Sequence, residues 1–321
     1  MEDQVGRRIN YLRVSVTDLC NLRCRYCMPE EGIEKKRHGE ILSLEEIFEI
    51  IKASVTLGVN KVRITGGEPL VRKDIVSLIE NIGKLEEIKD IALTTNGVLL
   101  KQFAQDLKNA GLMRVNISLD TLKEDKYKEI TRGGRLEQVL DGIEEAKKAG
   151  LYPIKINTVL IGGFNDDEIE RFAQLTVDEE IHVRFIELMP LGQASSWAKS
   201  NFLSNAFIKE QLPDLIPVHE GDKSSPARYY KLPGAKGKIG LINPISSHFC
   251  KYCNRIRLTA DGRLKPCLHS NQEIDLKEVV RERKDDLREM LTKAILQKPQ
   301  QHTLNQLDNE PVERDMFRIG G

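Results

Sequence analysis

A chain of 321 residues with 40% hydrophobic content can bury a full core and has room for one large domain and a smaller one. Lys and Arg match Asp and Glu at 49 each, so no global field favours nucleic acid or an acidic membrane surface, and an anionic ligand must be held by local charges. No apolar run approaches the length of a bilayer crossing, and the acidic start Met1-Glu2-Asp3-Gln4 does not read as a secretory signal, which sets the expectation of a reducing, cytoplasmic setting.

The first candidate strand, Tyr11–Thr17, leads into Cys20-Asn21-Leu22-Arg23-Cys24-Arg25-Tyr26-Cys27. Three thiols at spacings of three and two residues can aim at a single point, and they supply three ligands where a closed site needs four. On an iron–sulfur cluster, three thiolates leave one iron open to a small molecule. A zinc site borrowing a fourth ligand such as His38 is the alternative for the spacing alone.

Strands and helices then alternate. The further candidate strands are Lys61–Thr65, Asp90–Thr94, Met113–Ser118, Tyr152–Leu160 and His182–Glu187. A capping box, Ser43-Leu44-Glu45-Glu46, starts a helix that stops at Gly58. Other helical patterns cover about Ile75–Ile82, Leu99–Ala110, Leu136–Ala149 and Asp167–Leu175, with Gly111 and Gly150 as C-terminal stops. Six β–α units imply parallel strands with right-handed crossovers. Six are fewer than a closed eight-unit barrel needs, so the predicted fold class is α/β, a partial, three-quarter (β/α)6 TIM-type barrel, with a doubly wound sheet as the alternative.

Loops rich in Pro, Ser and Asn interrupt the pattern over Leu191–Pro226 and suggest a boundary there. The division is residues 1–226 for the barrel and residues 227–321 for a small, β-containing C-terminal domain. Its short strands are Arg228–Leu232, Lys238–Ile242, Asn254–Thr259 and Arg263–Lys265, the last two joined by an Asp261-Gly262 hairpin turn. One helix over about Leu276–Ala294 precedes a polar tail ending in Gly320-Gly321.

Single cations stand inside apolar strands: Arg13, Arg63, Lys155 and Arg184. Strand residues alternate between inside and outside, and a buried charge is costly unless paired. Convergence of these four in one interior calls for a polyanion such as a triphosphate; pairing with interior carboxylates such as Asp120 or Glu187 is the other reading. Gly66-Gly67-Glu68-Pro69 after the second strand allows a close backbone approach to a ligand or is an ordinary turn. Thr94, Asn96-Gly97 and Ser118-Leu119-Asp120 put small polar groups at strand ends, where Ser118 suits a ribose hydroxyl and Thr94 a phosphate or sugar.

The second cysteine group is Cys250-Lys251-Tyr252-Cys253 followed by Cys267, with Asn254-Arg255-Ile256-Arg257 between. It reads either as a zinc knuckle completed by His248 or His269 or as a second cluster with an open iron, faced by Arg255 and Arg257. The two groups of three use all six cysteines, and an odd number per group argues against local disulfides.

The Cys-x-x-x-Cys-x-x-Cys loop with Tyr26 before its third Cys resembles the signature of radical S-adenosylmethionine (SAM) enzymes. With Thr-Gly-Gly-Glu-Pro-Leu at 65–70, Thr-Thr-Asn-Gly at 94–97, Phe-Ile-Glu-Leu-Met-Pro at 185–190, the C-terminal Cys-x-x-Cys-Asn-Arg-Ile-Arg and the closing Gly-Gly, the whole chain resembles the GTP 3′,8-cyclase family. The resemblance implies a [4Fe–4S] cluster on Cys20, Cys24 and Cys27, and a second on Cys250, Cys253 and Cys267. It implies SAM contacts at Tyr26, Gly67, Ser118 and Met189, with Glu68 less firmly drawn. GTP contacts are implied at Arg13, Arg63, Thr94, Lys155, Arg255, Ile256 and Arg257. Arg184 matches a catalytically important Arg, and Gly320 and Gly321 a tail that reaches the active site. The implied reaction cyclises GTP in an early step of molybdenum cofactor biosynthesis. A homodimer and an external electron donor are expected with it, and neither nucleic acid nor membrane. A radical SAM enzyme acting on another substrate, such as a peptide, is the alternative.

Overall fold

The computed structural model describes residues 1–219, 221–302 and 312–320. The six expected strands form, as β1 (Tyr11–Ser15), β2 (Lys61–Thr65), β3 (Asp90–Thr95), β4 (Arg114–Ser118), β5 (Ile154–Leu160) and β6 (Ile181–Glu187). They pair side by side in chain order, all parallel. Between them run α1 (Leu44–Val55), α2 (Ile75–Gly83), α3 (Leu100–Asn109), α4 (Glu124–Thr131), α5 (Leu136–Lys148) and α6 (Ile169–Asp178). The α1 capping box is present: the Ser43 hydroxyl accepts from the Glu46 amide at 3.2 Å and the Glu46 carboxylate from the Ser43 amide at 2.7 Å. Ile47, Ile50 and Ile51 of α1 are fully buried against the sheet, each worth about 1.5–3 kcal/mol of apolar burial. The α4 helix has no counterpart among the sequence expectations.

Beyond β6 come α7 (Ser195–Ser200), α8 (Ala206–Gln211), β7 (Ile216–Val218), β8 (Ala227–Lys231), β9 (Ile239–Ile242), β10 (Arg255–Leu258), β11 (Arg263–Lys265) and β12 (Ile274–Asp275). These strands extend the same sheet at both edges, in the order β12-β11-β10-β1-β2-β3-β4-β5-β6-β9-β8-β7. Strand β9 lies parallel to β6 and β10 parallel to β1, while the outer strands are antiparallel, so the sheet is mixed. The link from β9 to β10, residues 243–254, therefore crosses from one edge to the other, carrying Cys250 and Cys253 with it.

The single helix expected over 276–294 is instead two, α9 (Lys277–Glu282) and α10 (Leu287–Leu296). The charged run Arg283-Lys284-Asp285-Asp286 between them has no apolar face to bury and makes a tight 3₁₀ turn. A last short helix, α11 (Met316–Ile319), ends at Gly320. Among the described residues no helix is long and apolar enough to cross a membrane.

Candidate active site

The loop after β1 is shaped by backbone it borrows from elsewhere. The Arg23 and Arg25 amides donate to the Thr131 and Ile130 carbonyls at the end of α4, at 3.1 and 3.0 Å. Arg132, in the left-handed region at φ 55°, donates back to the Arg23 and Met28 carbonyls. Within the loop, the Cys27 and Met28 amides both donate to the Cys24 carbonyl, folding the three thiols around one turn. All three are free. Burial raises the Cys24 thiol well above its usual value and Cys27 to about 12, with the neighbouring cysteines adding to both. Thiols so raised bind as thiolates only to a group whose positive charge offsets that cost.

The turn after β2 presses onto this loop. The Gly67 amide donates to the Thr17 carbonyl at 2.7 Å and the Glu68 amide to the Leu19 carbonyl at 2.8 Å. A Cβ on Gly67 would stand 2.5 Å from both the Asp18 and Leu19 oxygens, so only glycine fits. The Glu68 carboxylate is fully buried and engaged, accepting from Thr95 Oγ1 and the Leu70 and Asn96 amides. Burial raises it to about 7. Asp120 is likewise raised by burial, to about 6, and accepts from the Tyr26 hydroxyl at 2.6 Å and the Val159 amide at 2.8 Å.

Of the four strand cations, Arg13, Arg63 and Arg184 converge on one cavity and Lys155 does not. Register places Arg13 of β1 directly beside Arg257 of β10 and Arg63 of β2, with Leu12, Val62 and Ile256 facing the opposite, apolar side. Arg13, Arg63, Arg184, Arg255 and Arg257 line one cavity, to which Asn157 and Met189 also contribute. Burial pushes Arg63 and Arg257 down to about 10, and burial with Arg257 and Arg63 beside it holds Arg13 well below its usual value. Tyr11 packs against the guanidiniums of Arg63 and Arg255 at 5.5 and 5.6 Å; burial would raise its phenol, but Arg63, Arg13 and Arg255 outweigh that and lower it.

No carboxylate pairs with Arg63, Arg184, Arg255 or Arg257 among the described residues. Arg184 donates to Asn116 Oδ1 at 2.6 Å, and Glu187 is taken up by the Ile245 and Ser246 amides, so neither Asp120 nor Glu187 neutralises the row. Arg63 and Arg257, each beside another guanidinium and without a carboxylate of its own, carry a standing cost that an anion removes.

The second cysteine group borders the same cavity. Cys250, Cys253 and Cys267 are free and line it together with His269. Burial raises the Cys253 thiol, but Lys298 and Arg255 outweigh it and bring it to about 7, so a thiolate is within reach. His302 packs between His248 and His269, with ring centroids 5.0 and 4.6 Å away. His248, Cys250 and His302 have ligand atoms within 4.8 Å of one another. Of the two histidines weighed for a zinc knuckle, His248 stands in that group and His269 does not, and only one of the three cysteines does, whereas all three cysteines line the cavity with the arginines.

The segment after residue 311, a polar tail by composition that the resemblance carries to the active site through its closing glycines, packs against the site as far as Gly320. Val312 and Ile319 pack with Leu191, and Met189, Leu268 and Met316 close around them. The Phe317 amide donates to Cys27, and the Gly320 carbonyl accepts from Arg13 at 3.2 Å and Arg257 at 2.9 Å. Gly321 lies outside the described residues.

Other expected residues are more dispersed. Ser118 ends β4 next to Asn157 in register, and Thr94 sits on β3 with its hydroxyl buried and lacking a hydrogen-bond partner among the described residues. Lys155 stands over the Tyr229 ring at 5.9 Å, outside the cavity lining. Ile256 is fully buried on the apolar face, so only its backbone can meet a ligand. Sequence reasoning missed Tyr11, Asn157, Arg132 and Lys298; the Tyr-Leu-Arg alternation of β1 was a signal for the first alone.

Two family models match the chain: the Radical SAM superfamily over residues 14–176 and Molybdenum Cofactor Synthesis C over residues 181–304. Among curated relatives, a GTP 3′,8-cyclase of Alkaliphilus oremlandii is 60% identical over 321 residues, covering all of both chains. One from Peptoclostridium acidaminophilum is 58% identical over 320 residues, covering 99% of this chain and 98% of the relative. Among solved structures, Streptococcus suis SuiB bound to S-adenosylmethionine superposes with a TM-score of 0.64 at 16% identity, over 97% of this chain and 77% of that one, a likeness of fold.

Proposed function

The chain belongs to the GTP 3′,8-cyclase family of radical SAM enzymes, and on that premise we propose that it converts GTP to (8S)-3′,8-cyclo-7,8-dihydroguanosine 5′-triphosphate, an early step of molybdenum cofactor biosynthesis. The observation that carries the reading is the set of cavity arginines, Arg63, Arg184, Arg255 and Arg257 having no carboxylate partner among the described residues, beside three free thiols in one cavity. A nucleoside triphosphate is a ligand long enough to meet both.

The first six strands are taken to curve as a three-quarter barrel, residues 1–226 serving SAM and residues 227–321 the guanine. Cys20, Cys24 and Cys27 would hold a [4Fe–4S] cluster, and Cys250, Cys253 and Cys267 a second; the donor sets fit, being free thiols in groups of three. When bound, the first cluster would supply the electron that splits SAM into methionine and a radical able to take hydrogen from C3′ of the GTP ribose; C3′ would then join C8 of guanine, with one further electron, drawn from the external donor, and one proton completing the 7,8-dihydro product.

The chain's own tasks follow from charge and shape. Arg13, Arg63 and Arg257 would grip the triphosphate as a three-strand fork, with Arg255 and the Ile256 backbone toward the base. Arg184, held by Asn116, would stay fixed near the reacting sugar. Thr94 and Lys155 would complete the GTP site. Tyr26, anchored on Asp120, with Gly67, Ser118 and Met189 would seat SAM. The docked tail would exclude water and stray hydrogen donors, Gly320 standing where Arg13 and Arg257 meet its carbonyl, and a catalytic part for Gly320 and Gly321 belongs to the same reading. A homodimer and an external electron donor complete the reading.

The test is anaerobic incubation of the iron-loaded protein with SAM, dithionite and GTP. Cyclised nucleotide together with 5′-deoxyadenosine is expected; 5′-deoxyadenosine formation that GTP does not stimulate, and no cyclised product, would refute it.

A further inference from the structure

The tail that closes the cavity is fastened outside it at Arg314, beside a Glu313 amide that donates to Asn271 Oδ1 at 3.1 Å. Arg314 donates to Glu273 through Nε at 2.6 Å and Nη2 at 2.7 Å, and through Nη1 to both Asp261 oxygens at 3.1 Å. One guanidinium thus spans two carboxylates on separate turns of the β10–β12 hairpins. Each carboxylate is fixed in turn: Glu273 by Lys265 at 3.1 Å, and Asp261 by Thr259 at 2.5 Å and Lys36 at 3.5 Å. Lys36 also pairs with Asp18 at 2.7 Å. The charge chain Asp18–Lys36–Asp261–Arg314–Glu273–Lys265 therefore starts two residues before Cys20 and ends two residues before Cys267.

Past the clamp the tail runs over the cavity. Asp315 sits over Gly192, where any side chain would collide with its carboxylate, and further contacts come from the Phe317 amide, a short apolar patch and the Gly320 carbonyl. The Gly320 carbonyl uses the same Arg13 and Arg257 donors a triphosphate would claim. Contacts inside the cavity are exchangeable with substrate, and the Arg314 contacts are not.

We propose that Arg314 is the positioning residue that seats the C-terminal strap, with Asp261 and Glu273 as its anchors, so that residues 315–320 stay over the cysteine loop while ligands exchange beneath. The reaction under the strap rests on the function proposed above; the seating itself does not. A fork bridging two carboxylates in part-buried surroundings exceeds what a single surface pair contributes, and lysine cannot reproduce it.

The experiment compares the anaerobically prepared wild type with Arg314→Gln and Arg314→Lys. Phe317 is almost fully buried in the docked strap, so chymotryptic loss of residues 318–321, followed by mass spectrometry, reports release. Cleavage is expected at least about tenfold faster in Arg314→Gln and intermediate in Arg314→Lys. The ratio of cyclised product to 5′-deoxyadenosine should fall in the same order with iron content unchanged. Equal Phe317 protection in all three proteins would overturn the proposal. If Arg314→Gln does not fold, Arg314→Lys decides by the same criterion. A wild type that makes no cyclised product would refute the reaction and leave the protection assay to judge the clamp.

Discussion

The Arg257 guanidinium donates to the Gly320 carbonyl oxygen at 2.9 Å, across 63 residues of sequence, while Arg13 reaches the same atom at 3.2 Å. For Arg257 a shared neutral oxygen is a weak counterpart, and a triphosphate is a far better one. Arg257→Ala should therefore weaken GTP binding by about 10- to 100-fold, the usual worth of a charge-assisted contact. Because Arg13 and Arg257 repel in register, the variant should melt no lower than wild type. Equilibrium binding and thermal denaturation check both; unchanged GTP affinity would remove Arg257 from the site.

Cys24 sits at the centre of its loop, and its backbone carbonyl, not its sulfur, receives the Cys27 and Met28 amides. Cys24→Ser should keep that turn and lose the thiolate. Iron content is expected to fall by about half and 5′-deoxyadenosine formation to vanish, since a hydroxyl is a poor ligand for such a cluster. Iron assay and chromatography of the SAM products test this, and persistent SAM cleavage would contradict the assignment of the first cluster.

Much of this site could be read before any coordinates. Cysteine spacing, the lone cations and the Gly-Gly turn are local patterns, and each keeps its meaning wherever the strand lies. The pairing of β10 with β1 is different. It joins residues over 240 positions apart, and nothing in Arg255-Ile256-Arg257-Leu258 names its neighbour. Without that pairing Arg13 and Arg257 are separate cations; with it they form a row. The α4 helix escaped because Glu124-Asp125-Lys126-Tyr127-Lys128-Glu129 buries only Tyr127 before Ile130, too sparse a stripe for a periodic signal. Its C-terminal carbonyls nevertheless hold the first cysteine loop. The Arg314 clamp joins three turns, each of which reads as ordinary polar loop.

Glu68 makes stability depend on pH. Its folded value, about 7, lies above the ordinary 4.5, with burial outweighing three hydrogen bonds, so the folded protein holds the proton more tightly than the unfolded chain. Its contribution is fully present below about 4.5 and is lost as pH rises through about 7, a change on the order of 3 kcal/mol. Urea unfolding of the cluster-free protein at pH values spanning that window should show the loss in wild type and its absence in Glu68→Gln. Parallel curves for the two proteins would exclude Glu68 as the source.

Gly67→Ala tests how tightly the two loops must fit. The added methyl would meet the Asp18 and Leu19 oxygens at 2.5 Å, and both are backbone atoms that no side-chain rotation can move. Nor can the turn withdraw freely, because the Gly67 and Glu68 amides tie it to Thr17 and Leu19 at 2.7 and 2.8 Å. The strain must then appear as a shifted cysteine loop, at about 1–3 kcal/mol for an overpacked site. Melting should drop, and SAM cleavage should fall more steeply than iron content, since the loop can still reach a cluster after its SAM-facing edge has moved. Gly39→Ala, with open space around its Cβ, is the matched control and should behave as wild type. Wild-type melting and SAM cleavage in Gly67→Ala would mean the cysteine loop yields without consequence, and the contact between the two loops would then have no part in shaping the site.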